Sequence, residues 1–434
     1  AMQTAVVMKR HTPELEQLLG KLPDVRTRAR YDVRELAMAV IVMFLNFRGS
    51  RNNADNTARR SNYRRNIERI FGMQLPDMDT ADRLMKLLEP QELEMVKQQI
   101  VSLLIKRKVL KKFRVFDLYY NVAIDGTGLH SYRYEPYPEC PFKESKNGKI
   151  VWTTLVLEAK IVCPNGFSIS IATEWIRNPK DKKFDKQDCE LKAFVRLSEK
   201  IKKLYPRLPV CITADGLYPN QRVFKICEDH NWKFVITLKY GNLKSVWTEI
   251  ALLRRISKAN IKLEKQKIQS SNQIFENYQA YQNIEYKSFS LNVIELKTYS
   301  VSVKTKNKHS ENNFAHVSNF EISKYTIEQI SSAGRLRWKI ENEGFNEQKN
   351  GGYKLTHKYS RNSFTATQNY YQCLQIAHII NQLAYKCLEI KAKLKANDTL
   401  KSNIEMMIAQ LMLTDFHQND FIQNIENNAK QLRY

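Results

Sequence analysis

The seven residues Val122–Gly128, VAIDGTG, decide how this chain is read. A short apolar run that ends on an acid and a glycine can carry its carboxylate to the rim of a buried strand, within reach of a metal ion. Asp125 is that acid. The pattern returns at Val210–Gly216, VCITADG, with Asp215 in the same place. Taken singly, Asp-Gly after an apolar run is more often a hairpin turn, so a third acid is needed to choose between the readings.

Working outward, Phe116–Leu129 reads as a first strand, Val151–Val162 as a second and Phe167–Ile176 as a third. Asn165-Gly166 marks a hairpin between the last two. In CELKAFVRLSEKIKKLY, Leu191, Phe194, Val195, Leu197 and Ile201 lie on one face of a helix. The strand Val210–Ala214, the helix Gln221–His230 and the strand Phe234–Leu238 follow. Three strands, a helix, a strand, a helix and a strand resemble the order of an RNase H-like core. That resemblance implies that the first and fourth strands lie side by side, joining Asp125 and Asp215 across a separation of 215 minus 125, or 90 positions.

The 434 residues are enough for two or more domains with a full core. With 70 Lys plus Arg against 45 Asp plus Glu, the net charge is +25, which favours a polyanionic partner, although charge alone also fits a basic protein of another kind. Seven scattered cysteines without a Cys-x-x-Cys pair argue against a disulfide framework or zinc site and for a reducing compartment. The longest apolar run, Leu36–Leu45, is too short to span a bilayer and reads as a core helix. No signal peptide is read ahead of it, and Ala1 before Met2 reads as a residue added for expression.

Residues 1–115 read as a basic, helical region for DNA binding or dimerisation. Asp32 and Glu35 form a helix-start signature, with Gly49 as a stop. In NTARRSNYRRNIERIF, Arg60, Arg64, Arg65 and Arg69 recur at helical spacing. Such a row is commonly a solvated face; with the overall charge, Arg60 and Arg64 become candidate phosphate contacts. A further helix opens at Glu89-Pro90, with Leu93, Val96, Ile100 and Leu103 on one stripe. Residues 116–240 hold the first part of the α/β core. From 241 to 325 the alternation is lost, and short strands such as those around Tyr278–Leu291 and Val293–Val303 read as a β-rich insertion, to guide DNA or shield the core.

Residues 326–362 then carry RLRWKIENEGFNEQKN, read as a helix from Arg335 to Lys349 with Arg337 and Glu341 on one face. By itself this is an ordinary surface arginine-glutamate pair. Taken together, AIDGT, ITADGLYPN and RLRWKIENEGFNEQKN resemble the DDE transposases of bacterial insertion sequences that carry a Tyr-Arg-Glu-Lys signature. The resemblance runs over roughly residues 121–382. It implies an RNase H-like catalytic domain in which Asp125, Asp215 and Glu341 are the catalytic acids and hold two Mg2+ ions, with Mn2+ able to substitute. It further implies that Arg337, Trp338 and Lys349 meet DNA, that the partners are double-stranded transposon ends and target, and that a homodimer forms the paired-end complex. Two positions depart from the signature: Gly334 stands where the family has tyrosine, and Gln348 stands at the lysine position, one residue before Lys349.

Lesser candidates are Glu190, as an acid behind the core or a helix-start charge, Glu158, which needs a partner if buried, such as Lys160, and His357. Residues 363–434 read as helical, with an apolar stripe at Leu374, Ala377, Ile380, Leu383, Ala384 and Cys387. The location expected is cytoplasmic and nucleoid-associated, with no membrane partner.

Overall fold

The computed structural model describes residues 2–24, 26, 29–178, 186–256, 261–269, 272–302, 308–387 and 399–416. Seven helices come first: α1 Met2–His11, α2 Leu15–Gly20, α3 Val33–Leu45, α4 Arg51–Ala58, α5 Ser61–Phe71, α6 Met78–Leu87 and α7 Pro90–Lys106. Asp32 caps α3 by accepting from the Glu35 N–H at 2.7 Å while the Glu35 carboxylate accepts from the Asp32 N–H, a reciprocal capping box. The expected arginine-rich helix is two helices, α4 and α5, broken at Arg59 and Arg60.

Among the described residues ten strands form one mixed sheet. They are β1 Tyr120–Tyr132, β2 Phe142–Glu144, β3 Ile150–Val162, β4 Ser168–Trp175, β5 Val210–Ala214, β6 Lys233–Thr237, β7 Ile261–Gln269, β8 Asn272–Tyr286, β9 Phe289–Ser302 and β10 Lys308–Ser318. The order through the middle is β4, β3, β1, β5, β6, continuing through β10, β9, β8 and β7; β2 pairs with β3. β3 runs antiparallel to both β1 and β4, whereas β1, β5 and β6 are mutually parallel. Between strands lie α8 Lys186–Leu204, α9 Gln221–Asp229 and α10 Lys244–Arg255. The first strand begins later than Phe116 because Phe116 and Asp117 both adopt positive φ, in a tight turn closed by the Val115 to Tyr119 bridge. The segment read as short strands is instead two long hairpins. They extend the same sheet, with β10 seated on β6.

After the sheet come α11 Ile327–Arg335, a 3-10 turn Leu336–Trp338, a π-helical segment Ile340–Asn346, and α12 Glu347–Asn350. The expected continuous helix over 335–349 is therefore wound in three ways, α, 3-10 and π. α13, Phe364–Tyr385, and α14, Leu400–Leu413, complete the described chain; the part of the expected C-terminal helix at 388–394 lies outside the described residues.

α13 is buried on all sides from Thr367 to Ala384 apart from one half-buried position, not along one stripe. It packs on α3, α6, α7 and β4. Its polar side chains close the ends of its neighbours. Asn369 donates to the Met85 and Leu88 carbonyls at the end of α6, and Asn381 donates to the Leu45 carbonyl at the end of α3. Carbonyls at helix ends lack intrahelical partners, and burial would otherwise leave them unsatisfied. Among the described residues no helix is long and apolar enough to cross a membrane.

Glu158 is fully buried on β3. Its carboxylate accepts from the Ser170 and Thr173 hydroxyls, and the Lys97 ammonium donates to the same two hydroxyls at 2.9 and 2.8 Å. Lys160, the partner expected from sequence, donates instead to Gln375 at 2.9 Å. A Glu158→Leu variant leaves Lys97 buried without its countercharge. It should lose about 3–5 kcal/mol in urea unfolding, and the Lys97→Met/Glu158→Leu double variant should recover part of that loss.

Candidate active site

The register of β1 on β5 sets the site. Tyr120 pairs with Val210 and Ala123 with Thr213, a constant offset of 90, so two more residues along each chain would bring Asp125 level with Asp215 where the strands part. Asp125 accepts from the Gly126 N–H at 2.9 Å, and Asp215 accepts from the Leu217 N–H at 2.8 Å. Each carboxylate is thereby held by backbone that has left the parallel ladder. In the β1–β5 pairing neither Asp-Gly joins two antiparallel strands, so the hairpin reading does not describe these two positions.

The third acid arrives from the far end of the sequence. Ile340 and Phe345 pack with Ala123 and Val162, laying the π segment against the face of β1 that also carries Asp125. Arg337, only 17% exposed, ties the two elements: its guanidinium lies 2.5 Å from Glu341 and 3.5 Å from Asp125. Glu343, two residues on, is engaged elsewhere, pairing with Lys339 at 2.6 Å. Trp338 is 55% exposed beside this group.

The winding of this segment accounts for the departure at Gln348, and packing accounts for that at Gly334. A π turn takes up one residue more than an α turn. Past the π segment, Gln348 is fully buried and hydrogen bonds to Gln375 on α13, whereas Lys349 donates to Thr127 at 2.7 Å, two residues along β1 from Asp125. Burial lowers the Lys349 ammonium pKa and the Asp125 carboxylate raises it. Gly334 is buried where α11 meets the sheet. A Cβ there would stand 2.6 Å from His316 and 2.8 Å from Val235, so no side chain is accommodated.

Three further side chains meet the acids. Lys239 lies 3.5 Å from Asp215. Glu190, 5% exposed on α8, accepts from the Tyr218 hydroxyl at 2.8 Å, and a Cβ on Gly126 would stand 3.2 Å from its carboxylate. Burial raises the Tyr218 hydroxyl well above its usual range, with Glu190, Asp125 and Asp215 adding to the shift. Tyr218 lies inside the second sequence motif and Lys239 just past a strand end, yet neither residue type draws notice without the neighbouring strand. Beside the acids opens a cleft of about 1110 Å³, whose lining includes Lys239, Tyr240, Trp247, Arg254, Arg337 and Trp338. Tyr240 and Trp247 stack there with centroids 4.4 Å apart.

Arg60 and Arg64 have no recorded contact with the acids. Arg60 is exposed at the start of α5, while Arg64 donates to the Leu75 carbonyl at 2.6 Å and pairs with Glu68 at 3.7 Å. Arg65 and Arg69 are both ion-paired to Asp415. His357 packs edge-on against Tyr359 and borders a polar cleft with Arg51, Lys358 and Arg361.

The donor set of Asp125, Asp215, Glu341 and the adjoining Glu190 is all carboxylate oxygen, the chemistry of a hard divalent cation. Among the described residues no three His, Cys, Asp or Glu side chains converge tightly enough to hold one ion between them. Mg2+ does not need such a cage, because it keeps several waters and usually takes only one or two carboxylates plus substrate oxygens. The group fits the ion on those terms.

Burial raises the Asp125 carboxyl to about 7; the Arg337 guanidinium opposes the shift, and Glu341 and Glu190 add to it. A carboxyl raised in the folded state stabilises the fold most below its unfolded pKa, and that contribution is lost as pH rises through the folded value. The metal-free Asp125→Asn variant should therefore gain in unfolding midpoint over the unchanged chain as pH goes from 4 to 7, and hold that gain above 7. Equal midpoint differences at pH 4 and pH 8 would contradict the assignment.

Residues 183–378, a little under half of the chain, match the protein family described as "Transposase DDE domain". The match contains Asp215, Arg337 and Glu341 and begins beyond Asp125. No curated protein sequence matches the chain. Among solved structures, the chain is similar to that described as "Cryo-EM structure of piggyBac transposase synaptic complex with hairpin DNA (SNHP)", with 10% sequence identity, coverage of 98% of this chain and 85% of that one, and a TM-score of 0.42. The match spans the second and third sequence motifs, and over residues 183–378 the chain is similar to a transposase DDE domain.

Proposed function

We propose that this chain is the DDE transposase of a bacterial insertion sequence: it cuts DNA at the element's ends and joins the freed 3′-hydroxyl to target DNA. Asp125, Asp215 and Glu341 are the catalytic acids in this reading and hold two Mg2+ ions, with Mn2+ as a substitute. The observation that carries it is the β1–β5 register, which levels Asp125 with Asp215 while the Glu341 segment packs on the same face of β1. The sheet order β4, β3, β1, β5, β6, with only β3 reversed, supports an RNase H-like core. On that reading 116–240 and 326–362 make up the core, 241–325 the insertion, 1–115 a DNA-binding or dimerisation region and 363–434 a helical C-terminal region.

Bound divalent ions would supply activation of the attacking oxygen and charge stabilisation of the leaving one. The chain's own side chains do the rest. Arg337 carries five N–H donors in a rigid fork, so it can keep Asp125 while it takes a phosphate oxygen. Lys349 offers an ammonium from the Thr127 side, and the exposed Trp338 indole offers an apolar face to a sugar or base. Arg60 and Arg64 on α5 take backbone phosphates away from the chemistry, Arg64 through the N–H groups that Leu75 leaves over. A net charge of +25 draws the duplex, and the paired-end complex is a homodimer acting on chromosomal DNA in the cytoplasm.

The test is to incubate the protein with DNA from both boundaries of its coding element and Mg2+, then resolve nicked and joined products. Cutting with joining is the expected result. Cutting alone would point to an RNase H-like nuclease, and DNA binding without cutting to a transposase-derived binding protein. Asp125→Ala, Asp215→Ala and Glu341→Ala should each abolish both products, leave duplex affinity in place and weaken Mn2+ binding in a titration. Cleavage unchanged in any of the three removes that residue from the set.

A further inference from the structure

Directly beneath Lys349 lies a fully buried polar layer for which the reaction so far has no use. Gln348 donates to the Gln375 side-chain oxygen at 2.9 Å, and Gln375 donates back to the Gln348 oxygen at 3.2 Å. Lys160 donates to that same Gln375 oxygen at 2.9 Å. His378 Nδ1 lies 3.0 Å from the amide nitrogens of both Gln348 and Gln382. Since both amides donate, Nδ1 is the acceptor and the ring proton sits on Nε2, facing Glu347 at 3.5 Å. Gln382 in turn accepts from the Ser168 N–H at 2.7 Å and donates to its carbonyl at 3.1 Å, which anchors the layer to β4. The Gln348 carbonyl accepts from the Leu355 N–H at 2.9 Å and closes the turn.

We propose that Gln348, Gln375 and His378 are positioning residues for DNA cleavage: they lock the rotation of the turn Glu347–Asn350 so that Lys349, one residue on, is delivered to the Asp125 side of β1. This rests on the reading of the site above. The argument is one of complementary cost. If the turn rotated by one residue, two amide groups would lose their partners in a fully buried layer, which is costly. The lysine would then enter beside Lys160, bringing two ammonium groups to one side-chain oxygen. A glutamine at 348 supplies the donor and the acceptor that Gln375 and His378 require, and a lysine there supplies no acceptor. A layer needed only for stability could be apolar, because well-packed hydrophobic groups replace buried polar sets at little cost. The specific product of this one is a single rotation of the turn.

The experiment crosses Gln348→Met with Lys349→Ala in the full chain. It uses single-turnover cleavage of a boundary-DNA duplex with Mg2+, with thermal unfolding followed for each variant. Gln348→Met alone should slow cleavage about 10- to 100-fold, as expected when a reacting group is displaced by about an ångström, while duplex affinity is retained. In the Lys349→Ala background the same substitution should change the rate by less than about twofold, because the group it positions is gone. Gln375→Met should behave like Gln348→Met, and Gln375→Glu, which keeps the acceptor for Lys160 and Gln348, should recover most of the rate. A triple Lys160→Met/Gln348→Met/Gln375→Met variant removes the layer without leaving half-satisfied partners and keeps the test open if a single variant fails to fold.

Equal losses in the two backgrounds, or folded variants that cleave at the unaltered rate while Lys349→Ala does not, overturn the positioning role and leave the site reading intact. If Lys349→Ala itself cleaves at the unaltered rate, the role given to Lys349 fails, and the positioning role falls with it.

Discussion

The parallel register of β1 on β5 runs on towards Asp125 and Asp215, and the rest of the site follows from that pairing. Like charges gathered at one place need cations nearby. The fold meets this with cations brought from outside the two strands. Arg337 comes from the segment after the last strand, Lys239 from the end of β6, and Lys349 from the turn that follows the π segment. Glu341 and Glu190 add negative charge to the same spot, and the Asp125 carboxyl is held near 7 as a result of burial and these neighbours together. On the proposed reading, a bound divalent cation would balance this carboxylate charge.

The helices hold that arrangement as one body. α13 runs through a core that extends continuously from Val7 in α1 to Leu411 in α14, so the amino-terminal helices share their packing with β1, β3 and β5, the strands beneath the acids. The asparagines of α13 close α6 and α3, and its glutamines and histidine hold the turn bearing Lys349. A helix buried on every side cannot solvate polar groups, so each must find a partner, and the partners found here fix neighbouring elements in place. Likewise β10 carries the long hairpins onto β6, so the residues between the second and third motifs belong to the same sheet as the acids.

Much of this was legible because it is local. Val210–Ala214 forms as read from its apolar run, Asp32 and Glu35 cap α3 as their spacing implies, and Gly166 with its positive φ turns the hairpin between β3 and β4. What was hidden depends on groups remote in sequence. The winding over 335–350 follows from packing on β1 and from the buried layer around Gln348, so helical spacing alone gave one straight helix and an apparent one-residue misplacement of the lysine. The arginines of α5 read as a free cationic face because Asp415 and the Leu75 carbonyl, which engage three of them, lie elsewhere in the chain. Glu158 drew Lys160 as a partner because the two share a face of β3, whereas Lys97 reaches the same hydroxyls from α7. The β-rich segment was visible in composition, but its strand lengths come from pairing, which composition does not encode.

The cations on the acids also bear on how the proposed substrate would be received. Arg337 and Lys349 are the groups proposed to take phosphate oxygens, and both lie against β1 near Asp125. An incoming phosphodiester therefore does not have to recruit these side chains from solvent; it exchanges with partners already in place, which saves the entropy of ordering two long side chains. On the proposed reading a phosphate shares the Arg337 guanidinium with Asp125, since its fork offers N–H groups to both, and Lys349 turns from the Thr127 hydroxyl to a phosphate oxygen, so both cations stay beside the acids as DNA arrives.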